Sequence, residues 1–512
     1  SGAQTGWAAT LLKDKFNIVL NIIAPQVSGD GEALYQTRTA AGNLGDIILL
    51  DNADMLECID VGLVADMSAE IKSYPNLMRY WEQIEKFNAS IGDGIWAIPT
   101  EMNTNGPTAY MAETVSSMPR IPWDFYTELG KPDFNTLDDL LKTLADMQEA
   151  HPTNEAGDKA YGMTLWKDWD STSIENVNQL TKWYGQEVNG SVLIGSDHSI
   201  TPLTDKNGAY YKMLHFFFDA NQMGILDPDS ATQDWTSAND KMKQKRTYLV
   251  WNNWMQGFTN SPEIGEKGAN YMGMPIADMT VFQTSDYYYG SGRVFGIGSQ
   301  VDETKARIME FLDWLASPEG CTIQHAGDEG IIYTVNDDGT YTLTEDGYNR
   351  FTTEIMIPEE LGGGNWTDGN NQVNQWIVQS YDTNPVTGES YVPDLWASYL
   401  EKNNTKTNKE WKEKFGAENE VEYLKSNGMM EPVPSINMSL AIDTTDIGLI
   451  RSQCKTIVCD SSWKAIFAAD EAAFEATWDD MCSQLEGFGW DDLVAFDTEK
   501  YQPVIEARKA VK

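Results

Sequence analysis

One short apolar run near the start of the sequence limits the folds available to this chain. It is Asp46-Ile47-Ile48-Leu49-Leu50-Asp51, a continuous apolar segment bounded by acidic residues. A run of this kind is typical of a parallel strand that is buried on both faces of a sheet. A helix is predicted before it, over residues 31–41, and a second one after it, over residues 55–60, each followed by a glycine. This helix–strand–helix order predicts an α/β fold.

Later segments continue the alternation of helices and strands. A capping-box pattern at Thr136 predicts a helix whose buried face carries several leucines. A strand is predicted over residues 293–298, followed by a helix from Asp302 to the stop signal at 317–320. The Asp337-Asp338-Gly339 turn predicts a hairpin. Near the C-terminus a single helix is predicted to bury an apolar stripe made of Trp463, Ile466, Phe467, Phe474, Trp478, Met481 and Leu485.

Size and charge narrow the class of protein. At roughly 150 residues per domain, 512 residues correspond to about three units, or to two large lobes with an extension. The 78 acidic residues exceed the 36 basic ones and give a formal charge of -42, which repels phosphate backbones and anionic lipid. We therefore expect no nucleic-acid partner. The sequence has no apolar run of 18 residues, so a soluble mature chain is predicted, and a removed leader would leave no trace.

The sequence carries no enzyme signature that we recognise. GxSxG, P-loop, GxGxxG and HExxH patterns are all absent, and the four histidines are isolated from one another. The five cysteines form no CxxC pair and are predicted to be packing residues or incidental thiols. With so many carboxylates, a glycosidase-like acid pair has almost no specificity as a signal. We predict no catalytic residue, no metal and no cofactor.

One acidic turn invites a different interpretation. Asp227, Asp229 and Asp234 suggest a calcium site, but their spacing lacks the central glycine and terminal glutamate of an EF-hand. A turn with side-chain-to-backbone hydrogen bonds is the simpler interpretation.

Four loops combine aromatic residues with Asp, Asn and Gly. They span residues 166–170, 251–254, 286–292 and 362–371. A sugar ring has an apolar C–H face and a rim of hydroxyls, so a sugar site needs flat aromatic side chains beside carboxylates, amides and Arg. Any one of these Trp residues taken alone is more often a packing residue, but the recurrence of the mixture in four loops predicts carbohydrate binding.

The order of several segments resembles family 1 of the extracellular solute-binding proteins of ABC importers, which includes maltose-binding-protein-like receptors and long lipoproteins of Gram-positive bacteria. The resemblance covers residues from about 10 to about 350. It is carried by segments 45–51, 62–67, 96–99, 132–140 and 296–320. One departure is that members usually begin with a strand before the first helix, whereas this sequence starts inside or after it; a lipid-bearing Cys would precede the present start.

This resemblance implies a two-lobed α/β receptor of the periplasmic-binding-protein type, with a ligand cleft between the lobes and closure by hinge bending. It implies a first lobe of residues 1–110 and 290–325. The second lobe would contain residues 111–289 and 326–512, including a C-terminal helical extension. The 251–254 segment then lies where such receptors place a sugar-stacking Trp, and Asp51 lies at the end of a strand that faces the cleft.

The function expected from these features is non-enzymatic. An extracellular, cell-surface and lipid-anchored monomer would capture an oligosaccharide and deliver it to an ABC permease. The expected aromatic platforms and hydroxyl partners are Trp166, Trp169, Trp251, Trp254, Tyr288 and Trp366, with Asp51, Asp170, Arg293 and Asp368. Two alternatives stay open at this point, namely a glycoside hydrolase with an aromatic cleft and a receptor for a peptide or a charged solute.

Overall fold

The protein, analysed as a computed structural model, is described over residues 2–23, 31–301, 303–350, 353–372 and 376–511. Its strands are short and form small sheets. In chain order they are β1 (Gly2–Ala3), β2 (Asn21–Ile22), β3 (Ile47–Asp51), β4 (Ile98–Pro99), β5 (Ser117–Pro122), β6 (Gln186–Asn189), β7 (Val192–Gly195), β8 (Ile200–Pro202), β9 (Val250–Asn252), β10 (Tyr271–Gly273), β11 (Arg293–Ile297), β12 (Tyr333–Val335) and β13 (Tyr341–Leu343).

Helices connect and cover these strands. In chain order they are α1 (Trp7–Phe16), α2 (Gly31–Ala40), α3 (Met55–Asp60), α4 (Pro75–Met78), α5 (Trp81–Ala89), α6 (Trp123–Glu128), α7 (Leu137–Ala150), α8 (Glu175–Thr181), α9 (Ala209–Gln222), α10 (Trp235–Lys243), α11 (Gln256–Thr259), α12 (Pro262–Glu266), α13 (Lys305–Leu315), α14 (Pro318–His325), α15 (Glu345–Asn349), α16 (Trp366–Asn370), α17 (Ala397–Asn403), α18 (Lys406–Phe415), α19 (Glu420–Ser426), α20 (Thr445–Ile466), α21 (Glu471–Gly487) and α22 (Trp490–Ala510).

Two three-stranded sheets organise the molecule into two lobes. The first lobe is built on the sheet β3–β11–β4, and the second lobe on the sheet β10–β5–β9. All the pairings in these two sheets are antiparallel. Since β11 follows the whole second sheet in sequence, the second sheet is inserted between the strands of the first.

The sheet of the first lobe has apolar side chains on both faces. Phe295 and Ile297 pack into the core that contains α13, whereas Ile48, Leu50 and Val294 pack into the core that contains α3. The predicted strand near residue 46 is confirmed.

The predicted environment of β3 is wrong in two respects. Within the described segments, β3 pairs with β11, and this pairing is antiparallel rather than parallel. Its side chains also alternate in burial, and Leu49 is 37% exposed, because one face of this strand is only partly covered.

The capping-box helix of the second lobe begins where the sequence predicts. The Thr136 side chain accepts a hydrogen bond from the Asp139 backbone, and the Asp139 carboxylate accepts one from the Thr136 backbone at 3.2 Å. These two bonds satisfy donors that the first helical turn leaves unpaired. The predicted leucine face of α7 is buried in the core of the second lobe.

The C-terminal region contains two helices where one was predicted. The chain breaks between α20 and α21, and Asp470 accepts a hydrogen bond from the Ala473 backbone at 2.9 Å to start the second helix. The assignment of the aromatic stripe to the core is confirmed, because Trp463, Phe474 and Trp478 are buried.

The predicted helix after β11 is also divided. Its predicted start at Asp302 lies outside the described residues, and the helix α13 begins at Lys305. The stop signal is confirmed, but it also begins α14, since the Ser317 hydroxyl accepts a hydrogen bond from Gly320 N at 3.1 Å with Pro318 in the first turn. The predicted hairpin is confirmed as β12 paired with β13.

The described residues between 326 and 396 pack differently from the predicted division, which assigned everything after 325 to the second lobe. Their buried side chains, including Trp366 and Trp396, share a cluster with Trp7 of α1, and Ile377 and Val378 belong to the core of the first lobe. The chain returns to the second lobe through α17 and α18, where Trp411 joins the core of that lobe. Over the described residues, the chain therefore crosses between the lobes three times.

The acidic turn at Asp227 is closed by a lysine. Asp227 accepts a hydrogen bond from Asp229 N at 3.1 Å, as predicted for a turn of this type. The Lys241 ammonium lies 2.6 Å from an Asp227 oxygen and 2.9 Å from an Asp229 oxygen. Across the described segments, no group of three His, Cys, Asp or Glu residues is placed to hold a metal ion. In the same segments no helix is long and apolar enough to span a membrane.

A buried ion pair joins the sheet of the second lobe to α19. The Arg120 guanidinium, which is fully buried, donates to a Glu420 carboxylate oxygen at 2.7 Å and to the backbone oxygen of Trp251 at 2.5 Å. Burial lowers the pKa of Arg120 and raises that of Glu420, because each charge loses its hydration. Loss of either partner leaves an uncompensated charge in the core.

We predict that Arg120→Met lowers the free energy of unfolding by about 3–5 kcal/mol, because Glu420 is left buried and unpaired. Urea denaturation measures the loss. Lys142→Met is the matched control, since Lys142 pairs with Asp146 at the surface, and it should change stability by less than about 1 kcal/mol. Equal losses in the two variants would contradict the prediction.

Candidate ligand-binding site

A cavity of about 340 Å³ lies at the end of the sheet in the first lobe. Its wall is formed by the ends of β3 and β4, the start of β11, and Trp376 from the segment 376–382. The lining residues are Asp51, Thr100, Glu101, Ser291, Gly292, Arg293 and Trp376. The wall thus combines two carboxylates, a guanidinium, two hydroxyls and one indole ring.

Asp51 and Arg293, both predicted as ligand contacts, are brought together by strand pairing. They lie directly opposite each other in the antiparallel register of β3 and β11. The Arg293 Nε atom is 3.6 Å from an Asp51 carboxylate oxygen, and the two side chains are 53% and 72% exposed. An exposed pair of this kind contributes little stability, so both groups can rearrange to hydrogen-bond with hydroxyls of a ligand.

A network of short hydrogen bonds holds the floor of the cavity. Ser291 N donates to Thr100 O at 2.8 Å, Thr100 N donates to Arg293 O at 3.1 Å, and the Thr100 and Ser291 hydroxyls are 2.7 Å apart. Gly290 has a φ of 90°, and a Cβ atom there would lie 2.6 Å from Pro99. Only glycine permits this close approach of the two segments.

Glu101 is held in an unusual backbone conformation. Its φ is 58°, a region that residues other than glycine rarely occupy, and its backbone N–H donates to Trp376 O at 2.7 Å. Burial raises the pKa of Glu101, against opposing effects of the Ser291 hydroxyl and the Arg293 charge. Strain of this kind concentrates at functional sites, where the surrounding structure maintains it.

Trp376 supplies an aromatic surface to the same cavity. Its ring packs edge-to-face on His325, with centroids 4.5 Å apart, and the His325 ring is itself fixed by a hydrogen bond to Val378 O at 2.9 Å. The ring is therefore held rigidly beside the two acids and the arginine, as a flat platform for an apolar face requires.

The predicted Trp platforms of the second lobe form one aromatic cluster. Trp166 and Trp251 stack with centroids 5.3 Å apart and planes 2° from parallel, and both are fully buried. Contrary to the expectation for these two residues, protein covers their rings in this structure, so they form packing contacts. The Trp251 indole N–H donates to Gln179 at 2.7 Å, which fixes the stack.

The outer part of this cluster is open to solvent. Trp254 follows β9 and is 44% exposed. Trp169 and Trp235 are partly exposed, and the Trp235 ring lies 4.7 Å from Trp169 and 5.2 Å from Trp254. Thus the inner pair supports an outer group of three indole rings.

The remaining residues predicted to contact the ligand do not line the cavity at the end of the first-lobe sheet. Asp170 accepts a hydrogen bond from the Trp463 indole at 2.7 Å and so ties α20 to the second lobe. Trp366 is buried against Trp7, whereas Asp368 is exposed on α16 outside the cavity. Tyr288 donates its hydroxyl to Glu82 at 3.0 Å on the first lobe. Among the predicted residues, Asp51 and Arg293 are the two that line this cavity.

Sequence reasoning missed Glu101, Trp376 and Trp235. Glu101 lies two residues after the 96–99 motif that carries the family resemblance, so its position was available as a signal. Trp235 is the first residue of α10 and lies outside the polar loops. Trp376 carries no local signal, because its place in the cavity comes from pairing with a distant segment.

A short backbone ladder connects this cavity to the chain segment that leads from the first lobe to the second. Residues 101–105 run beside residues 376–383, with Met102 N donating to Ile377 O at 2.9 Å and Gln379 N donating to Met102 O at 2.8 Å. Asp382 is fully buried and accepts hydrogen bonds from Thr104 and Tyr80. The crossing segments are therefore anchored to the first lobe close to the cavity.

Asp286 lies in a second crossing segment. It is 2% exposed, its carboxylate accepts a hydrogen bond from Met111 N at 3.0 Å, and its backbone N–H donates to Ala109 O at 2.8 Å. Burial raises the pKa of Asp286 to about 7. Burial thus disfavours the ionised form of Asp286 in this crossing segment.

Two lobes joined by several crossing segments, with a polar and aromatic cavity at one end of the sheet β3–β11–β4, define a two-lobed α/β binding protein. The sequence matches the family of bacterial extracellular solute-binding proteins over residues 21–320, and the chain belongs to this family. Its fold is the two-lobed one of maltose-binding-protein-like receptors.

Individual relatives are distant. Lipoprotein LipO of Bacillus subtilis (strain 168) is 23% identical over 348 residues, which covers 65% of this chain and 61% of that protein. The Streptococcus pneumoniae ABC-transporter substrate-binding protein FusA, solved with kestose, is 16% identical, with a TM-score of 0.62 and coverage of 99% of this chain and 96% of that one. The alginate-binding protein AlgQ2 is 14% identical, with a TM-score of 0.61 over 97% and 94%. At these identities, the similarity to the two solved structures shows the fold of this chain and nothing further.

Truncation of a buried ring and of an exposed ring of the aromatic cluster should change the stability of the protein by different amounts. We predict that Trp251→Ala lowers the free energy of unfolding by about 3–5 kcal/mol, since it removes a fully buried ring. Trp254→Ala should cost less than about 1 kcal/mol, because that ring is nearly half exposed. Chemical denaturation of the two variants tests this, and a large loss in Trp254→Ala would show that its ring belongs to the core.

Asp286 should make stability depend on pH. An unfolded Asp loses its proton near pH 3.9, whereas the folded one keeps it up to about pH 7. The folded state therefore binds more protons between these values, and its stability falls as pH rises through this window. Asp286→Asn cannot lose a proton, so we expect its stability relative to the wild type to increase from pH 4 to pH 7. Urea denaturation across this range, with the exposed Asp93→Asn as a control showing no such trend, checks the prediction.

Proposed function

We propose that this chain is the substrate-binding component of an ABC importer, which captures an oligosaccharide between its lobes and delivers it to a membrane permease. It acts outside the cell as a monomer, attached by a lipid, and it releases the sugar unchanged. The observation that carries this proposal is the cavity that Asp51, Glu101, Arg293 and Trp376 line together. Carboxylates and guanidinium bind hydroxyls in pairs, and the indole covers the C–H face of a sugar.

The exposed indoles of the second lobe extend this proposal. Trp254, with its neighbours Trp169 and Trp235, offers a rigid apolar surface supported by the buried pair beneath it. Trp254 lies two residues after the end of β9, and Asp51 is the last residue of β3. Ligand bound at the strand ends of one lobe can therefore be covered by the other lobe when the hinge closes.

The relatives support individual parts of the proposal. FusA was solved with the sugar kestose and AlgQ2 is named for binding alginate, which favours a saccharide ligand for this fold. LipO is named a lipoprotein, which supports lipid attachment. The permease is inferred from the family, whose members are transport proteins.

Titration calorimetry with neutral oligosaccharides of three to six units tests the function. We expect micromolar or tighter binding of at least one of them, little change between low and high salt, and recovery of the intact sugar by mass spectrometry. Shortened sugars would instead identify a hydrolase. Peptide binding that weakens with salt, without any sugar binding, would identify a receptor for charged solutes.

The contacts can then be tested by substitution with the sugar found. Trp376→Ala and Trp254→Ala should each weaken binding by about tenfold or more, because each removes an aromatic stacking surface. Phe488→Ala is a matched control, since Phe488 is 46% exposed on the C-terminal side of the second lobe and Trp254 is 44% exposed. Unchanged affinity in both Trp variants would refute this assignment of the site.

A further inference from the structure

The cavity beside Trp376 contains three ionisable side chains among the described residues that line it. They are the carboxylates of Asp51 and Glu101 and the guanidinium of Arg293. Their formal charges sum to -1 when both acids are ionised and to zero when Glu101 holds a proton. In neither state does the cavity have a net positive charge to offer to an anion.

The single cation of the cavity is engaged by both acids. Arg293 Nε lies 3.6 Å from Asp51, its partner across the β3–β11 ladder. The same guanidinium acts on Glu101, whose carboxylate it stabilises electrostatically. An anionic ligand would have to draw Arg293 away from these acids and then lie next to them.

The position of the two acids is fixed by the backbone. Asp51 ends an ordered strand, and Glu101 is held by its hydrogen bond to Trp376 O in a left-handed conformation. The backbone thus keeps both carboxylates at the cavity wall beside the fixed Trp376 ring, even though the exposed Asp51 side chain can turn there. The negative character is thus a built-in property of this surface.

From this arrangement we infer that the site selects oligosaccharides without acidic groups, whether uncharged or amine-bearing, and rejects uronates. This inference rests on the proposed function and assigns the charge class of its ligand. A hydroxyl donates to a carboxylate and accepts from the guanidinium, so a neutral sugar satisfies all three groups at once. A uronate carboxylate offers no donor at neutral pH, and it is repelled by Asp51 and, when Glu101 is ionised, by Glu101 as well.

Matched sugar pairs test the inference. The probes are tetrasaccharides of glucose, galactose and mannose and the same tetrasaccharides oxidised at C6 to uronates, measured by titration calorimetry. For the wild type we expect each neutral tetrasaccharide that binds to do so at least tenfold more tightly than its uronate. Tighter binding of a uronate would overturn the inference while leaving the proposed function intact. Failure of every saccharide would refute the proposed function itself.

Charge-removing variants identify the residues responsible. Asp51→Asn/Glu101→Gln leaves Arg293 uncompensated, and we expect the preference for the neutral tetrasaccharide to fall at least tenfold. If the double variant folds poorly, the single variant Asp51→Asn serves as the test. It changes an exposed side chain and should show part of the effect. Glu486→Gln/Glu499→Gln removes the same charge from exposed positions on the C-terminal helices and should keep the wild-type preference. A preference unchanged in Asp51→Asn and in the double variant would overturn the inference.

Discussion

The antiparallel pairing of β11 with β3 is the interaction on which the rest of the structure depends. It joins two segments that are far apart in sequence, with the sheet of the second lobe between them. The register also places Arg293 opposite Asp51 and brings Ser291 onto Thr100. A slip of one residue would turn each β11 side chain from one of the two flanking cores to the other and would separate Arg293 from Asp51, so the same contacts specify both the core and the cavity wall.

How far the sequence predicts this structure depends on the range of the interactions involved. The capping box of α7 and the hairpin at β12 and β13 are local, and both are confirmed. The positions of Asp51 and Arg293 were accessible because they lie at ends of recognisable strands. The partnership of Glu101 with Trp376 was not accessible, since it arises from a ladder between remote segments.

The aromatic cluster shows why composition alone misjudges exposure. Trp166 and Trp251 occur among polar residues, yet they are fully buried because neighbouring rings and Gln179 cover them. Their burial gives the outer rings a foundation that cannot move independently. Such support favours ligand affinity. The rings of the exposed apolar surface are already held in place, so little side-chain entropy is lost when the ligand binds.

The interleaving of the lobes has a consequence for biogenesis. Neither lobe is encoded by one continuous segment, because the core of the first lobe includes Ile377 and Val378 and the core of the second includes Trp411 and Trp478. While the chain is being made, Ile47–Leu50 has no strand partner from β11 until that segment emerges. An unpaired apolar edge promotes aggregation, so an incomplete chain that ends before β11 should be a substrate for chaperones and proteases.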